Sequence, residues 1–177
     1  MSGHSHWAGI KHKKGLQDAK RAQIFTKLAK PIAIAARDGG GNPDANFKLR
    51  LAIEKAREFN MPNANIERAI KRGTGELKDG TIEEIIYEAF GPGGIMMIVK
   101  TLTDNKNRTV GEIKTILSKF GVKLSGLGSV MWNFELKDGE YQPKNTMKID
   151  AETKSQYEKL IGALEEQDDV EEIYDNL

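Results

Sequence analysis

The chain has no cysteine. That excludes a disulfide framework and any thiolate-held metal, and it fits a reducing compartment. Long apolar runs are missing too. The stretch "IMMIV" at 95–99 has the length of a strand, far short of the ~18 residues that mark a membrane span. No signal-peptide apolar region stands near the start, and the start is Lys/His-rich rather than Arg/Ser-rich, which argues against a transit peptide. The expectation is a cytoplasmic protein with no membrane contact. Catalytic patterns are absent as well: there is no H-E-x-x-H, no G-x-S-x-G and no P-loop. His4, His6 and His12 cluster, but no Cys or nearby carboxylate completes a ligand set. The sequence therefore predicts no enzyme, no cofactor, no small-molecule substrate and no functional metal, beyond an incidental Cu(II) site at Ser2-Gly3-His4 if Met1 is removed.

What is present is charge, unevenly placed. The formal net charge of +1 conceals 16 Lys/Arg against 7 Asp/Glu in residues 1–78, and 11 against 19 in residues 79–177. Within residues 1–37 there are eight basic residues and a single acid, Asp18. Such asymmetry between halves points to a polyanion-binding face on the first half. At 177 residues, 30% charged and 38% hydrophobic, the chain is long enough for one ordinary domain or two small ones.

Periodicity separates the same two halves. Over 16–37, Ala22, Phe25, Leu28, Ala29, Ile32 and Ala36 recur at helical spacing. Pro31 removes a backbone donor inside that pattern and predicts a kink or division near Lys30. "GGGNP" at 39–43 ends the helix. A second helix is expected at about 45–59 with Leu49, Ala52, Ile53 and Ala56 inward. A third, over 64–72, is expected to be capped by Asn63. From residue 84 the period changes. Strands are predicted at 84–90 and 95–102 around the turn "GPGG", then at 129–136, 146–149 and 170–174. Helices are predicted at 110–120 behind Thr109 and at 151–166 behind Asp150. This order reads as α+β: an N-terminal three-helix domain with a basic arm (1–78), then a small α/β sandwich with a mainly antiparallel sheet (79–177). The run "IMMIV" is a candidate edge strand, and the oligomeric state stays open.

The candidate site is basic rather than catalytic. Lys11, Lys13, Lys14, Lys20, Arg21 and Lys27 bracket a Gly-containing segment and the first helix, as counterion release from phosphates rewards. Trp7 and His12 are candidates to stack on bases. Arg68, Lys71 and Arg72 add a second patch on the third helix. The bland reading is a solubilising charged face, and charge alone does not choose DNA over RNA. Asp104, Asn105 and Arg108 form a polar cluster that suits turn structure more than phosphate binding. Asp168 and Asp169 read as a solvated acidic run.

The stretch 1–76, from "MSGHSHWAGIKHKKG" to "NIERAIKRGTGE", closely resembles the N-terminal region of the YebC/PmpR family. That family includes the mitochondrial translational activators of cytochrome oxidase. "YEAFGPGG", "TDNKNRT", "GSVMWNFE" and the ending "LIGALEEQDDVEEIYDNL" resemble its later motifs. One departure is visible. The resemblance implies a further α/β domain near 136–143, where this chain has only "LKDGEYQPKN". The family implies regulation: a DNA-binding transcriptional regulator, with a ribosome-associated translation factor that binds ribosomal RNA as the alternative. Either way, the expected partner is nucleic acid.

Overall fold

A computed structural model of the chain describes residues 3–4 and 18–177. It divides into two compact units, Lys11–Glu83 on one side and Met1–Ile10 with Glu84–Leu177 on the other.

The first unit is helical. Helix α1 (Asp18–Gly39) packs against α2 (Phe47–Glu58) and α3 (Asn63–Gly73). The core is aliphatic: Leu28, Ile32 and Ala36 of α1 meet Leu49, Ile53, Ile66 and Ala69 in the buried interior. Pro31 does not divide α1, which runs as one 22-residue helix. Buried residues on both sides of it, from Ile24 to Ala36, lock the turns that a lost hydrogen bond would loosen. Gly40, at φ 88, ends α1 and returns its N–H to the Ala36 carbonyl. Asn46 caps α2, its side chain accepting from the Leu49 N–H. The predicted Asn63 cap is not found. Pro62 occupies the cap position, and its carbonyl accepts from Asn65 and Ile66. At Gly73 a Cβ would lie 2.1 Å from the Ala33 carbonyl oxygen, so only glycine lets α3 end this close to α1.

The second unit is α+β. Its four-stranded sheet has the order β1-β6-β3-β2, built from Gly3–His4, Val170–Asp175, Met96–Thr103 and Glu83–Phe90. Strand β6 pairs antiparallel with both β1 and β3. Helices α4 (Lys106–Lys119) and α5 (Ala151–Glu165) supply Ile113, Leu117, Leu160 and Leu164 to one core cluster with Met97, Val99 and Ile173. Ile98 and Tyr174, one residue out of phase, face a second cluster with Val130 and Phe134. A two-stranded ribbon, β4 (Phe134–Lys137) and β5 (Glu140–Pro143), forms a separate small sheet.

Several predicted elements shift. The run 95–99 contributes to β3, which lies between β6 and β2 and is not an edge. Helix α4 starts at Lys106 and is capped by Asn105, which accepts from the Arg108 N–H, so Thr109 lies inside the helix. A 3-10 turn, Met131–Asn133, precedes β4 where an eight-residue strand was expected. Residues 146–149 form no strand; Met147 makes one ladder-like bond, to the Asn176 carbonyl. Asp150 does cap α5, accepting from Thr153 at 2.7 Å.

Candidate nucleic-acid interface

Lys20 and Arg21 lie in the first turn of α1 with both side chains exposed. Lys27, predicted to share their face, is instead 1% exposed. It sits one residue from Leu28 on the packed stripe, so its ammonium is not presented to a passing phosphate. Trp7, Lys11, His12, Lys13 and Lys14 lie outside the described residues.

On α3 the three predicted cations separate in role. Arg68 is 76% exposed, with a long 3.6 Å pairing to Asp79. An exposed pair of this kind contributes little and yields readily to a phosphate. Lys71 is exposed. Arg72 is half-buried and braces the loop beyond the helix, donating from Nε to the Asp79 carbonyl at 2.9 Å and from Nη2 to the Gly80 carbonyl at 3.3 Å. Arg37 does the same from α1, donating from Nη1 to the Ile82 carbonyl at 2.6 Å. Both arginines line a groove of about 390 Å³ with Gly73, Gly75 and Lys78. Their donors are aimed at main-chain carbonyls, so this groove reads first as loop bracing.

Sequence reasoning placed the helix α2 but missed its exposed face as part of the candidate site. Phe47 is 63% exposed and Leu51 48%, while Lys48, Arg50 and Arg57 are exposed around them. The Arg50 guanidinium carbon stands 5.5 Å from the centre of the Phe47 ring, within cation–π range. The signal was available: Phe47 falls off the Leu49, Ala52, Ile53, Ala56 stripe, and a large aromatic off the packed stripe has no place in the core.

The acidic clusters of the second unit are structural. Asp169, predicted to be solvated, is 2% exposed. It accepts from Arg108 at 2.9 Å and from the Thr109 hydroxyl at 2.7 Å, and its backbone N–H donates to Gln167. The hydrogen bond with Asp169 holds the Arg108 guanidinium more firmly protonated, with Asp104 adding to the effect. Two carboxylates beside one guanidinium leave poor ground for a phosphate. Glu88, buried in β2, accepts from the backbone N–H groups of Gly128, Val130 and Met131 at 2.6, 2.8 and 2.9 Å. It thereby pins the loop that exposes Leu127. Among the described residues no cluster of His, Asp or Glu could hold a metal, and no helix is long and apolar enough to cross a membrane.

Comparison with known proteins follows the same division. Residues 5–76 match the family described as TACO1/YebC protein N-terminal domain. Residues 82–139 and 136–177 match TACO1/YebC second and third domain. A "Probable transcriptional regulatory protein" of Fervidobacterium nodosum is 43% identical over 235 positions, covering 99% of this chain and 93% of that protein. One of the same description from Persephonella marina is 51% identical over 177 positions, covering 99% of this chain and 69% of that protein. The crystal structure of a conserved hypothetical protein from Aquifex aeolicus superposes with a TM-score of 0.84 at 35% identity, covering 97% of this chain and 96% of that one. The two matches to the second model meet at 136–139, where the ribbon turns from β4 to β5.

Proposed function

Because the chain belongs to the TACO1/YebC family, we propose that it is a nucleic-acid-binding regulatory protein acting on transcription through DNA. Its relatives, described as probable transcriptional regulatory proteins, support the regulatory part of this reading. One structural observation carries the nucleic-acid part. The boundary between the two units is also a boundary in charge: Lys11–Glu83 holds 16 Lys/Arg against 9 Asp/Glu, and the remainder holds 11 against 17. A compact helical unit of that sign attracts a polyanion, while the acidic unit resists non-specific sticking. Lys20, Arg21, Arg68 and Lys71 are the exposed contacts, with Lys11, Lys13 and Lys14 of the arm joining them. No catalytic step belongs to this reading.

A second reading, translation regulation on ribosomal RNA, draws support from the exposed Phe47, since aromatic side chains favour unstacked bases over closed duplex.

Titration of the full chain against duplex DNA over a salt series tests the first reading. Lys20→Gln and Arg21→Gln should each weaken binding to any sequence and lower the salt slope by about 1. Unchanged affinity and slope in both variants would remove these residues from the interface. A regulator of transcription should also prefer one site over random duplex by ~10³ or more. Salt-sensitive sedimentation with ribosomes, without such a preference, would put translation first.

A further inference from the structure

We propose that the first turn of α2 is a stacking site for an unpaired nucleobase, formed by Phe47 and Arg50. The proposal rests on the reading of the helical unit as a nucleic-acid binder, and it says which part of the ligand that unit grips besides phosphate.

The turn is rigid. Asn46 accepts from the Leu49 N–H at 3.1 Å and donates to the carbonyls of Ala35 and Gly40, both at 2.8 Å. Arg50 reaches back to the Pro43 carbonyl at 3.4 Å, which holds its guanidinium near the Phe47 ring. The Arg50 guanidinium thus stands over the Phe47 ring before any ligand arrives, so less side-chain entropy remains to be lost on binding.

The ring has no structural task that explains its position. Leu49, Ile53 and Ala56 are the residues of α2 that pack inward, and Phe47 stays 63% exposed even with Arg50 beside it. Its surroundings choose the occupant. Lys48 and Arg50 flank it, no acid occupies the first turn of α2, and the unit around it is basic. An apolar protein surface docking there would have to strip water from both cations without pairing them. A nucleotide satisfies both requirements: the base offers a π-face to Phe47 and Arg50, and its own phosphates lie within reach of the cations. The base must be unpaired, because a duplex hides base faces inside its stack.

The test uses the full chain and fluorescence anisotropy with labelled 20-nucleotide probes: single-stranded RNA, single-stranded DNA, an RNA strand with abasic positions, and a duplex. Phe47→Ala should weaken single-strand binding by about 5- to 150-fold, the range of one lost base–aromatic stack. The salt slope should not change, because no phosphate contact is removed. Duplex and abasic-strand binding should change far less. Phe47→Trp should retain single-strand affinity, and a thermal melt of each variant checks the fold. The RNA and DNA strands separate the two sources of such a base. Single-strand affinity of Phe47→Ala within twofold of the parent, while Lys20→Gln still lowers the slope, would overturn the stacking site alone. A parent that binds none of the four probes would overturn it together with the reading it rests on.

Discussion

Glu88→Gln should destabilise the α+β unit while barely changing its shape. One carboxylate oxygen accepts from Gly128, the other from both Val130 and Met131. A glutamine has one acceptor oxygen. Its best placement keeps the Val130 and Met131 bonds and turns an NH2 toward the Gly128 N–H. One donor then loses its partner, at about 1–3 kcal/mol, and the two bonds that remain lose the strengthening that charge provides. Gly128 is exposed enough for water to recover part of the loss, so the net cost is about 2–4 kcal/mol. In urea that lowers the unfolding midpoint by about 1–3 M. Trp132 reports on the loop directly, since its ring N–H donates to the Ser129 carbonyl. A Trp7→Phe background leaves it as the only tryptophan.

Acid supplies the second arm of this test. Burial pushes the Glu88 carboxyl up, but the N–H groups of Val130, Gly128 and Met131 outweigh burial and hold it below its ordinary value of 4.5. A carboxyl lowered in the folded state stabilises fully above its unfolded value, and loses that contribution as pH falls through the folded one. The gap between parent and Glu88→Gln should therefore be widest near neutrality and narrow as pH falls below 4.5 through the lowered folded value. Equal midpoints at pH 7, or a gap that stays constant into acid, would refute the reasoning.

Other substitutions probe other links. Pro31→Ala restores a donor inside α1 and should raise the melting temperature of the helical unit, by as much as about 3 kcal/mol of stability if the helix accepts it without repacking; a lower melting temperature would mean the proline ring packs better than alanine. Asp169→Asn should cost about 1–3 kcal/mol by denaturant titration: its one amide oxygen can stand for Oδ2 and accept from Arg108 and Thr109, but the Arg108 contact to Oδ1 at 3.1 Å is lost, and so is the charge that strengthens the others. Asp138 and Gly139 turn the ribbon with φ values of 52° and 87°, so Gly139→Val should cost about 1–2 kcal/mol, read as loss of amide-exchange protection in β4 and β5.

Much of the helical architecture was legible because its causes are local. The α2 stripe and its Gly-rich entry, the Asp150 cap and the Leu160–Leu164 face of α5 depend on residues within one or two turns of each other. The basic first half was legible for a simpler reason: charge is additive along a chain. Nonlocal packing decided the rest. Pro31 weakens a helix in isolation, but two partner helices and a buried stripe on both sides keep α1 whole. Lys27 has the composition of a phosphate contact and the position of a core residue, and only the folded surroundings of α1 determine which prevails. Asp169 looked solvated until Arg108 and Thr109, some 60 residues earlier in the chain, were brought to it by the pairing of β3 with β6. The two-residue β1 lacks any periodicity to announce it and exists only because β6 offers an edge. Sequence by itself therefore determined the helices, the strands at 84–90, 95–102 and 170–174 to within a residue, the Asp150 cap and the sign of each unit's charge, all short-range properties. Tertiary structure decided which charges are buried and which aromatic is left exposed, since burial depends on what the rest of the chain places alongside a residue.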